Sequence, residues 1–221
     1  MEIWLDTADA ALVEQTKEMG ILHGVTTNPS ILAQSKLSAE EALEKLLQAQ
    51  NGPVTAQVTA SQSDKMIEQG LALHQFSHRI IVKVPVTKEG LKAIYALSQK
   101  KVPIMATAVF TSPQVLFALR AGAQYVAPYF SSICESDPTG VSEFNKMLKL
   151  LRHYQFPAKL IAASLKSTEQ VQECLDAGAD AITLNPALFA AWIQDHEDTV
   201  ERLQKFAKDW KGAKPSKKIP L

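Results

Sequence analysis

One lysine stands where a lysine is costly. Lys83 lies in the run Ile80-Ile81-Val82-Lys83-Val84-Pro85-Val86, which would bury its side chain on either face of a strand. Burial disfavours the ammonium form. A free lysine near its reference pKa of about 10.4 is almost wholly protonated at neutral pH and cannot attack a carbonyl; a desolvated amine can. Once it condenses with a ketone, the iminium draws electrons from the adjacent carbon, so a proton or an aldehyde fragment can leave as the enamine forms. That chemistry carries its own electron sink and needs no metal and no bound cofactor. The competing reading is a lysine paired for stability alone with a buried carboxylate, for which Asp6 is the candidate.

Such a lysine has to be held by a rigid frame, and the sequence supplies one. Short β-branched or apolar runs fall at Glu2–Asp6, Gly24–Asn28, Val54–Val58, Ile80–Val86, Pro103–Val109, Tyr125–Tyr129, Lys159–Ser164 and Ala181–Asn185. Between them lie amphipathic stretches, among them Ala39–Gln50, Ser63–Phe76, Lys88–Lys101, Pro113–Ala121, Val141–Tyr154 and Glu169–Ala177. Gly122 and Gly178 follow two of these, where a left-handed helix end suits glycine. Strand alternating with helix through the whole chain indicates a parallel sheet, and eight such units indicate closure. The predicted class is α/β: one (β/α)₈ TIM barrel over 1–221, with 196–221 as an extra C-terminal helix and tail.

Alternation along each strand sorts side chains by face. One parity is apolar (Ile3, Leu5, Val25, Val54, Ala56, Ile80, Val82, Ile104, Val126, Ile161, Ala163, Ile182 and their neighbours) and is expected to face the helices. The other holds Asp6, Thr26, Asn28, Thr55, Gln57, Lys83, Thr107, Tyr129, Ser164 and Thr183, and is expected to face the lumen. Many of these fall at strand C-terminal ends, where barrel enzymes place their chemistry. Thr55 and Thr183 read as simple interior filling.

Lysine plus arginine and aspartate plus glutamate both number 23, so no net field draws the chain to nucleic acid or an anionic membrane. A small, locally recognised ligand is favoured. The opening Met1-Glu2-Ile3-Trp4-Leu5-Asp6 lacks the regions of a signal peptide, and no apolar run reaches a membrane span, so a cytoplasmic location is expected. Cys134 and Cys174 read as ordinary reduced thiols. His74 and His78, spaced i, i+4, lie at the end of their segment that feeds the next strand, away from the active face, and read as surface histidines. Lys214, Lys217 and Lys218 form a basic tail.

Leu5-Asp6-Thr7, Gly24-Val25-Thr26-Thr27-Asn28-Pro29-Ser30, Val82-Lys83-Val84-Pro85-Val86-Thr87 and Ala162-Ala163-Ser164 resemble the transaldolase family, most of all its short branch, the fructose-6-phosphate aldolases. The resemblance implies that Lys83 is the Schiff-base lysine and that Asp6, Thr26 and Asn28 hold the hydroxyls of a bound ketose. It further implies that Gln57, Thr107 and Tyr129 position a water, with Tyr129 helping to move the proton. True transaldolases are expected to carry a glutamate where Gln57 stands and a phenylalanine where Tyr129 stands, so both positions favour the aldolase branch. An arginine that clamps the substrate phosphate is expected shortly after Tyr129, where the chain reads Phe130-Ser131-Ser132-Ile133. Ser132 stands in its place; Ser164 is implied as a second phosphate ligand, Lys166 or a helix start at Ser167 would add positive potential, and Ser132, Ser164 and Lys166 are the expected substrate-binding residues at this end.

The expected partner is a small sugar or sugar phosphate. Three activities stay open: a sugar aldolase, a transaldolase, and a sugar-phosphate-binding barrel with little turnover. The resemblance also implies a homo-oligomer, a pentamer or a decamer, with the C-terminal helix reaching onto a neighbour. Val200, Leu203, Phe206 and Trp210 recur there at helical spacing, forming a stripe that needs cover.

Overall fold

A computed structural model of the chain describes residues 1–136 and 140–211. Its first compact unit, Met1–Phe189, carries β1 (Glu2–Asp6), β2 (Leu22–Thr26), β3 (Val54–Gln57), β4 (Ile80–Pro85), β5 (Ile104–Val109), β6 (Tyr125–Pro128), β7 (Lys159–Ala162) and β8 (Ala181–Leu184). Neighbours pair in parallel in chain order and β1 pairs with β8, so the sheet closes into a barrel. The helices between them are α1 (Ala10–Glu18), α2 (Pro29–Gln34), α3 (Ala39–Ala49), α4 (Ser63–Phe76), α5 (Lys88–Gln99), α6 (Ser112–Ala121), α7 (Phe130–Ser136), α8 (Gly140–His153) and α9 (Thr168–Ala177). After β8 come α10 (Pro186–Trp192) and α11 (Glu197–Trp210).

Local chemistry sets the helix ends. At α3, Ser38 and Glu41 form a reciprocal capping box in which each side chain accepts from the other's backbone amide. At the far end of α6 and α9, Gly122 (φ 105°) and Gly178 (φ 78°) take the left-handed conformation that glycine adopts without a Cβ penalty. Four helices have no counterpart among the expected amphipathic stretches: α1, α2, α7 and α10. At nine, six, seven and seven residues they are too short to display a clear 3.6-residue stripe.

Alternation fills the lumen in layers. At the N-terminal end, the Glu2 carboxylate accepts from the Trp4 indole and the Tyr125 hydroxyl, each at 3.1 Å, and pairs with Lys159 and His23. Burial alone would raise this carboxyl, but the hydrogen bonds from Lys159 and Trp4, with the charges of His23 and Lys159, outweigh it and hold it below the usual range. Above that plug Trp4, Ile81, Met105, Ala127, Ile161, Ala163 and Ala181 form an apolar layer. Gly24 makes room for it, since a Cβ there would sit 2.6 Å from the Trp4 ring.

That layer corrects the expected face of β7. Alternation predicts Ile161 and Ala163 on the helix side; they pack in the lumen with Trp4 and Met105. The cause lies at the strand end. β7 stops at Ala162, Ala163 pairs singly with Tyr129, and Ser164 turns into the left-handed region at φ 60°. Counting alternation back from Ser164 as an inward residue therefore puts the strand out by one.

The second compact unit, Ala190–Leu221, is described as far as Lys211 and holds α11. His196 caps α11, its Nδ1 accepting from the Asp198 amide at 3.3 Å. The predicted stripe is present and exposed, with Leu203, Phe206 and Trp210 showing 63%, 60% and 49% of their surface. Lys214, Lys217 and Lys218 lie outside the described residues.

Candidate active site

Lys83 emerges from β4 into the upper lumen with only 5% of its surface exposed. Its Nζ donates to the Thr27 carbonyl at 2.9 Å, and the β3–β4 register sets Gln57 beside it. Burial pushes the amine below the ordinary lysine value, with the negative charge of Asp6 partly opposing. Asp6, half-buried, is pushed upward by desolvation, while Lys83 and a hydrogen bond from Thr26 pull the other way.

A lowered lysine pKa has a consequence for stability. Between its lowered folded value and about pH 10.4 the unfolded chain holds a proton at Lys83 that the folded chain has lost, so folding releases protons and stability rises with pH through that window. In Lys83→Met this contribution to the slope vanishes. Urea midpoints measured from neutral to alkaline pH should therefore rise more steeply in the wild type than in the variant; equal slopes would show that the amine is not perturbed.

Around Lys83 the threonines fall into two hydrogen-bonded sets. Thr26 Oγ1 donates to Asp6 Oδ1 at 2.6 Å and lies 2.6 Å from Thr183 Oγ1, so Thr183 fixes the hydroxyl that orients the carboxylate. Thr183 thus belongs to the site, a contact the reading of it as interior filling missed. Thr55 Oγ1 accepts from the Thr27 amide at 3.0 Å, and Thr27 Oγ1 donates to the Thr55 carbonyl at 2.6 Å. This lock sets the carbonyl on which Lys83 rests, so Thr27 is a second residue whose part was not foreseen. Asn28 caps α2, its Oδ1 accepting from the Ile31 amide at 3.0 Å. That contact fixes the side chain with its amide nitrogen as the remaining donor.

On the opposite wall Tyr129 OH lies 3.3 Å from Thr107 Oγ1. Phe110 meets the Tyr129 ring edge-on at 5.6 Å and is 39% exposed. Asp6, Ser164, Lys166, Thr183 and Asn185 line one cavity of about 180 Å³. Asp6 and Asn28 share a wider one, about 720 Å³, with Ser30, Lys36 and Asn185. Asn185 borders both, and its own Oδ1 caps the Leu188 amide at 2.9 Å. Its place at a strand end was the one available sign.

The other two residues predicted at the phosphate end of the site, Ser132 and Lys166, differ from Ser164 in their surroundings. Ser132 stands in the first turn of α7, apart from the smaller cavity's lining, and its carbonyl accepts from Ser136 Oγ at 2.8 Å. Lys166 lines that cavity, but its Nζ is paired with Glu135 at 3.2 Å.

Elsewhere, His74 and His78 touch each other at 3.2 Å on the outside of the barrel; His78 lies beyond the end of α4. Among the described residues no three His, Cys, Asp or Glu side chains are grouped to hold a metal ion, and no helix is long and apolar enough to cross a membrane. Cys134 and Cys174 are free, and burial raises both thiols.

The barrel is shared with a mandelate oxidase variant carrying an FMN adduct. That structure superposes with a TM-score of 0.59 at 12% identity, over 92% of this chain and 70% of the other, a likeness of fold alone. Sequence relatives are nearer. A probable transaldolase of Lactiplantibacillus plantarum is 34% identical over 218 residues, 99% of this chain and 100% of its own. Probable transaldolase 2 of Listeria monocytogenes is 33% identical over 95% of this chain and 96% of its own. A probable transaldolase of Nitrosopumilus maritimus is 32% identical over 97% and 96%. The family model described as transaldolase/fructose-6-phosphate aldolase matches residues 3–217, and with Lys83 buried in a closed barrel beside Asp6 the chain belongs to that family.

Proposed function

We propose that this enzyme, one of Schiff-base aldolase chemistry by its family, cleaves and forms the C–C bond between a dihydroxyacetone-type ketone and a small aldehyde, with Lys83 as the nucleophile. The observation that carries the assignment is a lysine 5% exposed in the C-terminal half of a barrel strand, its amine resting on a backbone carbonyl with no carboxylate in salt-bridge contact among the described residues. In that setting neutral amine is available to attack the donor ketone. Asp6, Thr26 and Asn28 bind the ketose hydroxyls, Asp6 being ordered by the threonine pair and Asn28 by its cap.

Cleavage leaves an enamine on Lys83, and the next step separates two activities. Protonation at carbon followed by hydrolysis releases the donor and makes an aldolase; retention until an aldehyde arrives makes a transaldolase. Tyr129, 3.3 Å from Thr107, with Gln57 beside Lys83 in the register, supports protonation through a water held by neutral groups. The transfer reading is favoured by the relatives' names, each a probable transaldolase. Fructose or fructose 6-phosphate incubated without an acceptor separates the two. The aldolase reading predicts many equivalents of both dihydroxyacetone and aldehyde per site; aldehyde release that halts at about one equivalent with no free dihydroxyacetone, and resumes on addition of an aldose acceptor, would establish transfer. The exposed stripe of α11 supports assembly into a homo-oligomer in which that stripe is covered.

A further inference from the structure

We propose that Glu135 is a specificity-determining residue that turns the acceptor end of the site against phosphate and toward neutral aldehydes. The inference rests on the Schiff-base reading above and concerns the cavity that Lys166 shares with Asp6 and Ser164. A ring of four side chains joins α7, which follows Tyr129 directly, to the turn after β7. Gln170 Oε1 accepts from the Lys166 amide at 2.9 Å, and Gln170 Nε2 donates to Ser131 Oγ at 3.4 Å. Ser131 Oγ donates to Glu135 Oε1 at 3.1 Å, and Lys166 Nζ donates to the same oxygen at 3.2 Å. Ser131 is 1% exposed, so the carboxylate is anchored from below by a buried hydroxyl.

The ring has an electrostatic result. Lys166 is the cation lining that cavity, and its ammonium is already committed to a carboxylate. The ammonium, and then Ser131, hold the Glu135 carboxyl below the usual range, so at neutral pH it carries a full negative charge. A phosphate reaching for Lys166 must displace that charge and then lie beside it. With Ser132 offering no cation from α7, nothing in the ring compensates. A neutral polyol aldehyde meets no such repulsion and finds hydroxyl and ammonium donors.

The test is the ratio of kcat/KM for glyceraldehyde 3-phosphate to that for glyceraldehyde, with dihydroxyacetone as donor, in wild type, Glu135→Gln and Glu135→Lys. The glutamine keeps the size of the side chain and an acceptor for Ser131 while removing the charge. The ratio is expected to rise about three- to tenfold in Glu135→Gln at low ionic strength, further in Glu135→Lys, and to fall back in about 0.5 M salt, where exposed charges are screened. A ratio that does not move, or an equal loss for both acceptors in both variants, overturns the proposal and leaves Glu135 a structural tie. The ratio is read from turnover whichever lysine carries the imine, so its failure is separate from failure of the Lys83 assignment. Should no aldol turnover occur at all, calorimetric titration with inorganic phosphate decides, and equal affinity in wild type and Glu135→Gln overturns the inference.

Discussion

Lys83→Met loses aldol turnover by a factor on the order of 10⁴ or more while keeping the barrel. Removing a covalent nucleophile closes its reaction path outright, and what is left is whatever binding and electrostatics alone provide. Methionine fills similar space in a core that already accepts Met105, and it places no charge near Asp6. Circular dichroism should match the wild type and steady-state retro-aldol cleavage should fall to background. A folded variant with more than about one hundredth of wild-type turnover would show that Lys83 is not the nucleophile, since such groups contribute far more than that.

Tyr129→Phe carries the second large effect, and it falls on one half of the cycle. The hydroxyl sits 3.3 Å from Thr107, where a proton can be passed to the enamine carbon through water, and proton transfer by a positioned group contributes roughly 10²–10⁴-fold. Acceptor-free release of dihydroxyacetone should therefore drop about a hundredfold or more. Transfer of an enamine formed by ketose cleavage to an added aldehyde does not pass through that protonation and should fall much less, so the variant shifts toward a transferase. The enamine should also accumulate. Equal losses in release and transfer would mean that Tyr129 serves cleavage itself or only packs against Phe110.

The frame and its centre were legible because they follow from strong local rules. β4 announced itself as an unbroken apolar run, and a lysine inside it had nowhere to go but a buried site. α4, Ser63–Phe76, was bounded correctly by its pattern, and Gly122 and Gly178 marked helix ends where left-handed backbone is needed. The misses share a different cause. The face of β7 depended on where alternation stops, and Ser164 has already left the strand. The short helices α2 and α7 carry no repeat long enough to see. Thr183, Thr27 and Glu135 make their contacts across 157, 56 and 31 positions of chain, which no pattern in the sequence displays.

The most direct measurement is reductive trapping. Wild-type protein treated with dihydroxyacetone and borohydride, then digested and sequenced by mass spectrometry, should carry a single reduced adduct on the peptide spanning Ile80–Val86, located at Lys83, and Lys83→Met should carry none. An adduct on Lys36 or Lys166 with Lys83 unmodified, or no adduct under conditions of active turnover, would contradict the assignment of Lys83 as the Schiff-base lysine.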